Sequence, residues 1–80
     1  MMRGPFPLDE SRVDLLVIKG KAGVFGVSGN RKTIDYVGRA DFDLKKTLLP
    51  YIGKYRFFWF EYAISQDDAI KKFAYYSSKW

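Results

Sequence analysis

Nine carboxylates with no histidine and no cysteine limit the chemistry this chain can do. Most of the carboxylates fall in pairs: Asp9–Glu10, Asp41 with Asp43, and Asp67–Asp68. Such pairs can hold a hard divalent cation through oxygen. Each, however, stands at the start of a predicted helix, where an acidic side chain caps free backbone N–H groups and meets the positive end of the helix dipole. Capping accounts for all three, and no metal site is expected. Without cysteine there is no disulfide and no thiolate ligand. Without histidine there is no His-based zinc site, no Ser-His-Asp triad and no switch near neutral pH. There is no Walker loop, and Gly20, Gly23 and Gly26 are not a dinucleotide fingerprint, because no helix follows them. Glu61 stands apart: it interrupts an apolar strand face and requires a Lys or Arg partner, because an unpaired buried carboxylate is costly.

The cations are the second chemistry-bearing set. The 14 Lys and Arg against 9 acids give a net charge of +5. Residues 1–30 carry four bases and three acids, residues 31–56 seven and three, and residues 57–80 three and three. The excess therefore sits in the middle third, with Arg31, Lys32, Arg39, Lys45 and Lys46 among its members. A basic stretch attracts phosphates, acidic proteins or anionic lipid. The same charge also suits a solvated surface that keeps a small domain soluble. Arg56 with the Phe57–Phe60 run could offer rings for base stacking, but core packing explains those rings better.

Elements must hold these residues in place. Gly4-Pro5-Phe6-Pro7 reads as a leader, since two prolines disfavour helix and strand interior. Asp9, Glu10 and Ser11 could open a short helix, but Val13 and Leu15 to Ile18 are too continuously apolar to separate helix from buried strand. Residues 23–28 and 33–39 read as strands joined by the turn residues Gly29-Asn30-Arg31-Lys32. Pairing Ser28 with Thr33 sets Phe25 opposite Tyr36 on one face. Asp41 or Asp43 caps a helix bearing Leu44, Leu48 and Leu49, which Pro50 ends. Residues 56–65 alternate Phe57, Trp59, Glu61 and Ala63 against Phe58, Phe60, Tyr62 and Ile64. Both faces are mostly apolar, so this strand is expected in the middle of the sheet. Ser65 and Asp68 resemble a capping box. The helix that follows carries Ile70, Phe73, Ser77 and Trp80 as its stripe, with Ala69, Ala74 and Tyr76 beside them.

Eighty residues make one small domain, and 19% aromatic content supplies large buried areas to a chain of that size. No apolar run approaches the roughly 18 residues of a membrane span. Arg3 has no apolar stretch behind it, so no signal peptide is expected and a cytoplasmic location is.

The triplet GVF at Gly23–Phe25 and the triplet YVG at Tyr36–Gly38 resemble the signature of the GIY-YIG nucleases. Arg39-Ala40-Asp41 and the Leu44 helix look like that family's continuation. The FWFEYA segment with its Asp-capped helix is similar to the last strand and helix of its short stand-alone members. The resemblance covers residues 22–80 and leaves residues 1–21 as a leader and short element of a single compact domain. It implies an α+β fold with a small three-stranded antiparallel sheet flanked by helices.

It also implies metal-assisted phosphodiester hydrolysis, with magnesium needed only if the site is active. Residue by residue, the site departs from that pattern. The first tyrosine, which helps activate water, falls on Phe25, which lacks the hydroxyl. The second is kept as Tyr36. The arginine that stabilises phosphate charge is best matched by Lys46, which lacks the bidentate fork. The helical histidine falls near Pro50. The metal-binding glutamate falls near Phe73, and no acid occurs from Ala69 to Trp80. Phe25, Tyr36, Lys46 and Phe73 are expected close together. The expectation is a catalytically degenerate member. It would bind nucleic acid through Arg31, Lys32, Arg39, Lys45 and Lys46, or serve as a protein-interaction, accessory or inhibitor module. Residual nuclease activity is the third reading.

Overall fold

The computed structural model describes residues 1–79; Trp80, expected to pack on the central strand, lies outside the described residues. The elements are β1 (Arg3–Pro7), α1 (Glu10–Leu16), β2 (Gly23–Ser28), β3 (Tyr36–Ala40), α2 (Leu44–Leu48), a 3₁₀ turn (Leu49–Tyr51), β4 (Phe57–Tyr62) and α3 (Gln66–Ser77). The class is α+β, and the antiparallel sheet runs in the order β1-β4-β2-β3.

The sheet has four strands where three are expected. The extra strand is Arg3–Pro7, which the prolines argue against. They are tolerated because β1 is an edge strand that pairs with β4 alone, and an edge tolerates missing N–H donors. Gly4 lies where the ladder slips, between Arg3↔Phe60 and Phe6↔Phe58. Its φ of 140° excludes most other residues, and a Cβ there would stand 2.7 Å from the Trp59 ring. Residues 1–21 are no loose leader: Met2, Leu8, Val13 and Val17 are all buried.

β4 and β2 are the two interior strands, as the apolar character of both faces of residues 56–65 requires. One face of the sheet presents Phe25, Val27, Phe58 and Phe60. It is covered by Val13 and Val17 from the α1 region and by Leu44 and Leu48 of α2. The other presents Val24, Val37 and Trp59 and is covered by Tyr76 and Phe73 of α3. α1 begins at Asp9, whose carboxylate accepts from Arg12 N–H at 2.7 Å. α2 begins at Asp43 and α3 at Ser65, whose hydroxyl accepts from Asp68 N–H. Asp68 in turn accepts at 2.9 Å from the N–H of Ile64, one residue before the cap, so the reciprocal bond of the expected box is shifted by one residue. The buried stripe of α3 runs through Ala69 and Tyr76, with Phe73 half-buried; Ile70, expected in it, is exposed.

The β2–β3 hairpin opens later than its pattern suggests. Asn30 Oδ1 accepts from the N–H groups of Lys32 and Thr33, and Asp35 Oδ2 from Ser28 Oγ and Gly29 N–H. These side-chain bonds draw residues 29–35 into a wide loop. The ladder therefore sets Val27 opposite Tyr36 and Phe25 opposite Gly38. A two-residue shift preserves the faces, so Phe25 and Tyr36 still share one, with ring centroids 6.4 Å apart. Among the described residues no helix is long and apolar enough to cross a membrane.

Candidate functional site

The residues singled out by the sequence divide between the two faces of the sheet. On the α2 face, Phe25 is fully buried, while Tyr36 remains about half exposed. Tyr51, from the 3₁₀ turn, stacks on Tyr36 at 5.8 Å and packs on Phe25 at 5.3 Å. Burial pushes the Tyr51 hydroxyl pKa up, and a hydrogen bond with Tyr36 adds to the rise. Lys46 is exposed on α2, and its backbone N–H is bound at the Asp43 cap. Hydrogen bonds from backbone N–H groups of Gly20 and Lys46 hold the Asp43 carboxyl below its ordinary range. Lys45 is paired with Asp14 of α1 at 2.8 Å.

Arg39 and Phe73 are not part of that cluster. Successive strand residues alternate sides, so Arg39, three residues after Tyr36, emerges on the α3 face. There its Nε binds Asp41 at 2.7 Å and its guanidinium lies 5.8 Å from the centre of the Phe73 ring. Phe73 packs with the Trp59 cluster, across the sheet from Phe25. The expected grouping of Phe25, Tyr36 and Lys46 with Phe73 is therefore corrected by the sheet, which stands between them. Arg39 is thereby separated by the sheet from Lys45 and Lys46, the binding candidates on α2.

A concavity forms elsewhere. Two helices cover the α2 face, but α3 alone serves the other, and it packs on β2 and β3. The β4–β1 half of that face is left without a helix above it, and a groove of about 690 Å³ occupies the space. Its floor includes Met2, Ile34, Trp59 and Tyr76. Lys71 and Tyr75, four residues apart on one side of α3, form one wall together with Lys79 in the turn just past the end of the helix. Arg31 and Lys32 of the β2–β3 loop also line it.

Among the described residues Glu61 is the single carboxylate in this lining, and it is fully engaged. Tyr76 donates its hydroxyl hydrogen to Oε1, Lys72 Nζ approaches Oε2 at 2.9 Å, and the terminal amino group lies 2.9 Å from Oε1. Burial pushes the Glu61 carboxyl up, but these three donors more than offset it and bring its pKa to about 2. Burial and the bond to Glu61 push the Tyr76 hydroxyl up to about 12. The cation that Glu61 requires is thus Lys72. Arg31, Lys32, Lys71 and Lys79 form no ion pair with another described residue. Two of them lie against rings: Arg31 is 4.7 Å from the centre of Phe57, and Lys79 is 4.9 Å from that of Tyr75.

The groove is thus an apolar, aromatic floor bordered by cations. Of its members, Arg31 and Lys32 were legible as binding candidates. Lys71, Tyr75 and Lys79 were not, because the acids Glu61, Asp67 and Asp68 cancel the bases of residues 57–80 in any segment count. The signal was the four-residue spacing of Lys71 and Tyr75 on α3, with Lys79 just past its end. Among the described residues no three His, Cys, Asp or Glu side chains come together. The divalent metal that the GIY-YIG resemblance implies does not fit here, since Phe73, at the place of its carboxylate ligand, offers no oxygen. No protein-family model, no curated protein and no solved structure matches the chain.

Proposed function

We propose that this protein binds nucleic acid without cleaving it and that the groove beside α3 is the binding surface. The observation that carries this reading is the charge of the groove. Four cations without acidic partners among the described residues border it, and its one carboxylate is neutralised from within. A phosphate polymer neutralises such a border and releases counterions as it does so. The GIY-YIG resemblance supports the same substrate class. The losses at Phe25 and Phe73 argue against hydrolysis, because they remove a hydroxyl and a metal ligand together.

Labelled oligonucleotide titrated at several salt concentrations tests the proposal. With Arg31, Lys32, Lys71 and Lys79 as contacts, the log–log slope of affinity against salt is expected to be roughly −3 to −4. Lys79→Ala should weaken binding of all sequences alike and reduce the slope by about one. Absence of binding at low salt overturns the proposal. Plasmid incubated with magnesium or manganese should remain intact. Nicking that Tyr36→Phe abolishes would show an active site and overturn the non-cleaving part.

A further inference from the structure

We infer that the groove is built for a single strand rather than a duplex, with bases lying inward against Tyr75 and phosphates held by the cations at its borders. This inference rests on the nucleic-acid reading above. A duplex turns its phosphates outward and hides the faces of its bases, so it would meet the cations and leave the aromatic floor unfilled. A single strand offers both: phosphates for Arg31, Lys32, Lys71 and Lys79, and unstacked base faces for a ring. At about 690 Å³ the groove falls within the size range of pockets that hold small ligands, which is room for a base with its sugar.

Tyr75 is the ring placed for this. It is 56% exposed although it lines the groove, so its surface is not consumed by the core. It is nevertheless oriented: Tyr76 meets it edge-on at 5.1 Å, and Lys79 approaches it at 4.9 Å. Lys71 stands one helical turn before it on α3, and Lys79, in the turn past the end of the helix, brings a second cation to the ring. Trp59 is different. It is 9% exposed and is covered by Met2 and by the close backbone of Gly4, so it serves as floor rather than stacking platform.

The test compares a labelled 12-nucleotide oligothymidylate with a duplex of equal length at one salt concentration. The wild-type protein should bind the single strand at least tenfold more tightly. Tyr75→Ala should lose about tenfold for the single strand, within the range of one base–ring stack, and change duplex binding little. Tyr75→Phe should keep most of the affinity, because the ring and not the hydroxyl makes the contact. Lys71→Ala with Lys79→Ala should weaken both forms. Equal affinity for the two forms, or a Tyr75→Ala variant that binds the single strand as wild type does, overturns this inference and leaves the proposed function standing. Failure of both forms to bind overturns the two together. Tyr75 lies on the surface, so thermal unfolding of its variants should match wild type and exclude misfolding as the cause.

Discussion

Burial alone would raise the Glu61 carboxyl, yet Tyr76, Lys72 and the terminal amino group bring its pKa down to about 2. An unfolded chain has an ordinary glutamate there and takes up a proton first as pH falls. The stability Glu61 contributes is therefore complete above about pH 4.5 and is lost between there and pH 2. The shift corresponds to roughly 3 kcal/mol as an upper figure, since the side chain is about one-fifth exposed. Urea unfolding of wild type against Glu61→Gln should show the largest gap at pH 6 and a small one near pH 2. A gap that does not narrow would mean that the carboxylate charge contributes nothing. Asp43, also held low, should leave a residual slope in the variant. A second single-residue expectation concerns Gly38. The Phe25 ring lies over it so closely that an added Cβ would overlap the ring atoms. Gly38→Ala should cost about 1 to 3 kcal/mol by overpacking, and a midpoint equal to wild type would show that the ring can move aside.

α3 decides which half of its sheet face is core and which is groove. It settles on β2 and β3 through Ala69, which lets it approach closely, and through Phe73 and Tyr76. Phe73 is only half-buried, so Phe73→Ala should cost about 2 to 3 kcal/mol, below the 3 to 5 of a fully buried ring. Ile70→Ala, at an exposed position, should cost less than about 1 kcal/mol. Chemical denaturation of the two variants separates them. Equal losses would mean that the helix is turned differently about its axis. The Ser65 cap was legible, and Asp9 and Asp43 stood among the capping candidates, because a cap acts within four residues of itself. The face of α3 was not legible, since Ile70 and Ala69 are both apolar and only the partner surface chooses between them. The hairpin register failed for a related reason. Thr33 suits a strand by propensity, but Asn30 and Asp35 supply loop hydrogen bonds that a strand could not satisfy. The groove was the least legible feature, because it comes from the half-face that a single helix leaves uncovered.

At the scale of the molecule, the question is whether residues 22–80, where the GIY-YIG resemblance lies, form a domain without the preceding 21. The packing says they do not. Leu8, Val13 and Val17 belong to the core of the α2 face, and Met2 belongs to that of the α3 face. At roughly 1.5 to 3 kcal/mol for each buried side chain, their loss removes about 6 to 12 kcal/mol. That equals most of the 5 to 15 kcal/mol by which a small domain is stable. Removing β1 also turns β4 into an edge. The strand FFWFEY would then present unpaired backbone beside five aromatic side chains, an arrangement that invites pairing with other chains. Residues 22–80 alone should therefore show no cooperative thermal transition and should aggregate, while the full chain unfolds in one step. The groove would fail with the truncation, because Met2 and Gly4 line it and Trp59 rests against Gly4. A truncated chain with native-like near-ultraviolet circular dichroism and a single sharp transition would show that the first 21 residues are an addition to a self-sufficient domain.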